Sequence, residues 1–159
     1  MSTAHANECK PALSPQLSSL TNVKNLSDGK TYNQHIYSGD GIAFSSMQHL
    51  VKASKQKQVD ELVYSTAVSL RQTTKGGIVN QITAAQLGKN QLGLTTVLFG
   101  SYSNNGANRI EAAAISFKDY CPTVWRYTDT NASDRNTSMD AFMKLVGEWQ
   151  TAAGQSKGH

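Results

Sequence analysis

Residues 94–118, LTTVLFGSYSNNGANRIEAAAISFK, decide the fold. Leu94 to Ser103 is rich in Thr, Val, Leu, Phe and Tyr, residue types that suit a pleated, half-buried surface. Asn104 to Asn108 then forms a turn in which Asn105-Gly106 supplies positive φ. From Arg109 to Lys118, Ile110, Ala112 and Ala114 alternate with Ala113, Ile115 and Phe117. The stretch reads as a β-hairpin buried on at least one face. Its small alanines leave room for something bulky to pack over the second strand.

Downstream, Val124 to Thr128 reads as a further strand after the Cys121-Pro122 corner. Asp129 to Asn136 is a polar loop. Thr137, with Asp140 three residues on, resembles a capping box; Met139, Phe142, Met143, Val146 and Trp149 then line one face of a helix ending near Ala153. Upstream, Ile78 to Thr83 is a strand, and Val59 to Gln72 fits two templates. Val59, Leu62, Val63, Thr66, Ala67 and Leu70 make a helical face, while Leu62, Tyr64, Thr66, Val68 and Leu70 alternate as a strand would. Tyr, Ser, Thr and Val are poor helix formers, so the residue types favour a strand over 61–72. A helical hairpin broken at Gly76 is the alternative.

Asp40, in the turn Ser38 to Gly41, reads as the N-cap of a helix running to Gln56, with Ile42, Phe44, Met47, Leu50 and Val51 as its stripe. Lys30 to Ser38 is a short strand. Ser14-Pro15 opens a short helix that Gly29 stops. The expected architecture is α+β: an antiparallel β-meander with helices before and after it packed on one face. Residues 14–153 form one domain between mobile tails at 1–13 and 154–159.

The chain has 159 residues, and only 16% are charged, against about 25% in an average soluble domain. No apolar run reaches the roughly 18–20 residues a membrane span needs. Eleven of the fifteen basic residues are lysines spread along the chain, and the formal charge is +4. The densest basic cluster, Lys52, Lys55 and Lys57, carries no aromatic, so it reads as a solvated face and not as a nucleic-acid interface. Cys9 and Cys121 lack CxxC or His-x-x-Cys spacing, which leaves one long-range disulfide as the economical pairing. Met1 to Glu8 lacks a basic n-region and an apolar h-region; it resembles a mature N-terminus behind an added Met. With the cysteine pair, this points to a periplasmic or secreted bacterial protein.

Four histidines are present, His5, His35, His49 and His159, the first and last in the tails. His35 or His49 with Asp40 could serve proton transfer, but nine residues on one helix would hold His49 and Asp40 apart. Ser38 to Gly41 and Lys75 to Gly77 could be anion nests; neither matches a phosphate-binding fingerprint, and turn chemistry accounts for both. The sequons at Asn25, Asn131 and Asn136 fit the Asn- and Ser-rich composition. Tyr102, Trp125, Arg126 and Tyr127 lie in strands, and aromatics with Arg are usual interface anchors; packing of Trp125 against the last helix is the competing reading. The sequence implies no cofactor and no metal. It points to a non-catalytic binding protein, such as an inhibitor, immunity protein, antigen or accessory subunit, that recognises another protein or a cell-surface component. The alternatives are a small secreted hydrolase using His35 or His49 with an Asp, or less directly Cys121, and a nucleic-acid binder resting on net charge alone.

Overall fold

The hairpin at 94–118 lies towards one edge of a broad antiparallel sheet. The computed structural model describes residues 9–88, 90–104, 106–132 and 134–156. The outermost residues assigned to the tails, 1–8 and 157–159, lie outside that set, as do His5 and His159. Among the described residues, seven strands pair: β1 (Asn22–Ser27), β2 (Tyr32–Gly39), β3 (Ile42–His49), β4 (Asn80–Ile82), β5 (Leu94–Asn104), β6 (Ala107–Ser116) and β7 (Thr123–Asp129). Their order is β1-β2-β3-β7-β6-β5-β4. Two meanders, β1–β3 and β4–β7, thus join where β3 pairs antiparallel with β7. The helices are α1 (Gln56–Thr73), the single turn α2 (Ala84–Leu87) and α3 (Arg135–Ser156). The α+β class read from the sequence holds, with α1 preceding the second meander and α3 following it.

The helices divide between the two faces of the sheet, where the sequence placed them together. Ala112, Ala113 and Ala114 are all fully buried at the centre of β6. Successive strand residues point to opposite sides. Ala112 and Ala114 belong to the core beneath α3, and Ala113 packs with Leu98 against Leu70 of α1. The α3 side is filled by aromatics: Tyr127 stacks on Phe142 at 5.2 Å, and Trp125 meets Trp149 edge to face at 5.4 Å. The methyl-only surface of β6 leaves the space these rings and Leu70 occupy, as the sequence suggested.

Three segments differ from the sequence reading. Residues 42–49 form a strand, not a helix, because Asp40 (φ 52°) and Gly41 (φ 77°) are both left-handed. They make a two-residue loop between Gly39 and Ile42, which face each other across β2 and β3; such a loop returns the chain as a strand. Residues 56–73 form a helix, not a strand. Their hydroxyls, poor for helix propensity, bond back one turn instead of competing with it: Thr66 Oγ1 donates to Leu62 O, and Thr73 Oγ1 to Ser69 O. Gln58 Oε1 accepts the backbone N–H of Ser54 and Lys55 at the helix start. Burial of Val59, Thr66 and Leu70 along one stripe then decides the matter.

The third difference is the segment before β1. Residues 9–20 cross the α3-side face as a strap, and the helix expected from Ser14 to Gly29 is absent, its second half forming β1. Leu17 and Leu20 still point inward, but the backbone bonds to β2 side chains rather than to itself. Asn33 Nδ2 donates to Ala12 O, Tyr37 Oη donates to Pro15 O, and Ser14 N–H donates to His35 Nε2. Cys9 pairs with Cys121, as the cysteine count implied. The last helix begins at Arg135, with Asp134 accepting the N–H and hydroxyl of Thr137. Asp134, not Thr137, is therefore the residue that caps it.

Replacing Cys9 and Cys121 together by Ala frees a loop of about 110 residues in the unfolded chain. The expected loss is about 4 kcal/mol, read as a lowered urea midpoint; an unchanged midpoint would show that the strap is held without the bridge. Ala113→Leu overfills the layer between β6 and α1 and should cost about 1–3 kcal/mol by the same measurement.

Candidate functional site

The four residues singled out as interface anchors do not converge. Trp125 and Tyr127 point to the α3 side and are about 1% exposed, filling the core. Arg126 points the other way, towards α1, where its Nη1 donates to Ser69 Oγ at 3.0 Å. Tyr102 pairs with Arg109 at the far end of β5, half-buried at a shallow hollow with Arg109, Asp134 and Arg135.

The histidines are separated from Asp40 as well. His35 is buried; its Nε2 accepts the Ser14 N–H, and Nδ1 lies 3.5 Å from Ser46 Oγ. Burial lowers its pKa, so the ring is neutral with its proton on Nδ1, tying the strap to β2. His49 ends β3 while Asp40 turns the other end of that hairpin, about 25 Å away for eight residues of strand. Cys121 is consumed in the disulfide.

On the α1 side, the sheet buries an acidic group that no local motif in the sequence marks. Glu111 is 3% exposed and accepts a 2.7 Å hydrogen bond from Thr128 Oγ1. Burial raises its pKa against the pull of Thr128, Arg126 and Arg109; burial also lowers that of Arg126. Desolvation therefore outweighs mutual attraction at this pair.

Two surface features stand out from the rest. The first is α1 itself. Only Val59, Thr66 and Leu70 are buried along its length, so the helix stands as a ridge on the sheet. One flank is a cleft of about 530 Å³ between Val59, Val63 and Ala67 on the helix and Thr95 of β5 and Phe117, just past β6, opposite them. The other, about 420 Å³, lies between Leu62 and Ser65 and the segment around Val51 and Pro122. Tyr64 borders the larger cleft and is 69% exposed. Gly100 lets the chain leaving α1 cross β5 closely: a Cβ there would sit 3.0 Å from Ile78 O.

The second feature is a cleft of about 380 Å³ at one end of the sheet, between the disulfide, the loop before β5 and the last turns of α3. Trp125 and Trp149 both line it. Neither indole N–H has a hydrogen-bond partner in its buried position, a cost of about 1–3 kcal/mol for an unmet donor. Trp149 stands near the Tyr37 hydroxyl and slightly offsets the burial that pushes the Tyr37 pKa up to about 12, without reaching bonding geometry. Amide side chains brace the walls. Gln150 Nε2 donates to Leu92 O, and Gln48 Oε1 accepts the Ala12 N–H and Asn33 Nδ2. This cleft draws on five separated segments, so no local signal could announce it. The α1 ridge had one, the exposed Tyr64 opposite the helical stripe.

A raised Glu111 pKa means that the folded chain holds a proton the unfolded chain has already lost. Its contribution to stability is full below the unfolded value of about 4.3 and is lost as pH rises through the folded value. Urea unfolding from pH 4 to 7 should show this fall in the wild type relative to Glu111→Gln, which removes the titration; parallel curves for the two proteins would contradict it. Comparison with protein-family models, curated proteins and solved structures returned no match for this chain.

Proposed function

We propose that this chain is a non-catalytic, exported bacterial binding domain, of the kind that serves as an inhibitor, immunity protein, antigen or accessory subunit. Its partner is another protein or a cell-surface component, and it docks along the α1 ridge. The observation that carries this reading is the way α1 sits: held by a narrow buried seam, it raises Tyr64 beside a long apolar flank. An exposed aromatic beside a groove has the form of an interface anchor. Work outside the cytoplasm is supported by the disulfide between Cys9 and Cys121. No helix of the described residues is long and apolar enough to cross a membrane.

A photo-crosslinking residue placed at Tyr64, and separately at the exposed Lys144 on α3, tests the reading in cells that export the protein. The expected result is one discrete adduct at position 64 and none at 144. With the partner in hand, Tyr64→Ala should weaken binding by about 2 kcal/mol while leaving the urea midpoint nearly unchanged, as suits an exposed position. Equal crosslinking at both positions, or wild-type affinity in Tyr64→Ala, would remove α1 as the docking element.

A further inference from the structure

We infer that the cleft beside the disulfide is a binding site for a small, flat organic acid. This site lies apart from the α1 ridge and stands or falls independently of it. Its floor is aromatic: the rings of Trp125 and Trp149 meet at 79° with centroids 5.4 Å apart. Trp125 is 1% and Trp149 4% exposed, so the two rings present a narrow apolar base to a ligand. The volume of about 380 Å³ lies at the lower end of the range for small-molecule pockets and suits an aromatic molecule of two or three rings.

The walls are already committed. Asn90 Oδ1 accepts the Leu94 N–H and its Nδ2 donates to Leu94 O, while Gln48 and Gln150 hold the strap and the Leu92 loop. Ser116 Oγ accepts the Lys118 N–H. Because these polar groups brace the loops, the cleft is formed before anything enters it. At the mouth stand two exposed cations, Lys10 and Lys118, and one exposed carboxylate, Asp119. His49, at the inner wall, is kept neutral by burial. The excess of positive charge at the rim selects an acidic group, and the indoles take the flat apolar body.

The chain has two tryptophans, both in this cleft, so intrinsic fluorescence reports on it directly. The probe is 8-anilinonaphthalene-1-sulfonate, an aromatic sulfonate with a flat naphthalene body that absorbs where tryptophan emits. Its neutral counterpart, N-phenyl-1-naphthylamine, has the same rings without the acid. The expected result is saturable quenching by the sulfonate at one site per chain, with the neutral amine at least about tenfold weaker. Lys10→Ala with Lys118→Ala should abolish that preference. Gly154 lines the mouth in the last turns of α3, with nothing within 4 Å of an added Cβ. Gly154→Phe should therefore weaken the sulfonate at least about tenfold, while Gly154→Ala binds as the wild type does. Near-UV circular dichroism confirms native packing in each variant, because loosened proteins bind this dye indiscriminately. Should Gly154→Phe lose that signal, the lysine pair, at exposed positions, carries the test. Quenching that does not saturate, equal binding of both dyes, or full binding by a natively packed Gly154→Phe would overturn the assignment.

Discussion

The centre of β6 can be approached from both sides because it presents only methyl groups. Ala112, Ala113 and Ala114 are each fully buried, and a larger side chain at any of them would lift a helix away. Interiors are close-packed, so the volume absent from β6 must be supplied by its neighbours. On one side this is done by the rings of Trp125, Tyr127, Phe142 and Trp149, and on the other by the smaller set of Leu70 and Leu98 with Ala67 and Val79 against them. The unequal filling explains the unequal cover. The α3 side is sealed from β2 to β5 by a long helix plus the strap. The α1 side is covered by one helix on a narrow seam, with apolar flanks and a buried Glu111 beside Arg126.

Where local chemistry and periodicity agree, the fold is legible from the chain. Strand alternation, an Asn-Gly turn and β-branched composition coincide in residues 94–116, and a single apolar stripe marks α3. Where two signals compete, tertiary packing decides. In α1 the Thr and Ser content speaks for a strand, but the hydroxyls of Ser65, Thr66 and Thr73 bond back within the helix and that of Ser69 accepts from Arg126, which removes the objection. At Asp40-Gly41 the same two residues suit an N-cap or a hairpin loop. Pairing of β3 with β2 and β7 selects the hairpin. The strap offers Leu17 and Leu20 at helical spacing; once Cys9 is bridged to Cys121, an extended path lets both reach the core while His35, Asn33 and Tyr37 satisfy the backbone.

The interface anchors illustrate a different kind of limit. Trp125, Arg126 and Tyr127 are consecutive in a strand, and the period of two alone separates Arg126 from the aromatic pair. That signal was present in the sequence, and it argues against a single patch built from all three. The clefts are another matter. The one beside the disulfide combines residues from the strap, the end of β3, the loop before β5, the β6–β7 connection and the end of α3. Their meeting is a consequence of the sheet order, which places β6 and β7 side by side below both the strap and α3.

The connection between β6 and β7 ties the two proposed sites to the same piece of backbone. Ser116 faces the tryptophan cleft and Phe117 the flank of α1, with Tyr120 packed edge to face on Phe117 at 5.7 Å. Cys121 then returns to the cleft and Pro122 to the opposite flank of α1. The turn holding them includes Asp119 and Tyr120 at positive φ, a conformation that non-glycine residues keep only where their surroundings impose it. Here the surroundings are the disulfide, the His49 N–H donated to Pro122 O and the Ala53 N–H donated to Tyr120 O. The bridge to Cys9 therefore does more than restrict the unfolded chain. It fixes the wall that the ridge and the cleft share, which is why a long-range disulfide is placed at this corner of the sheet.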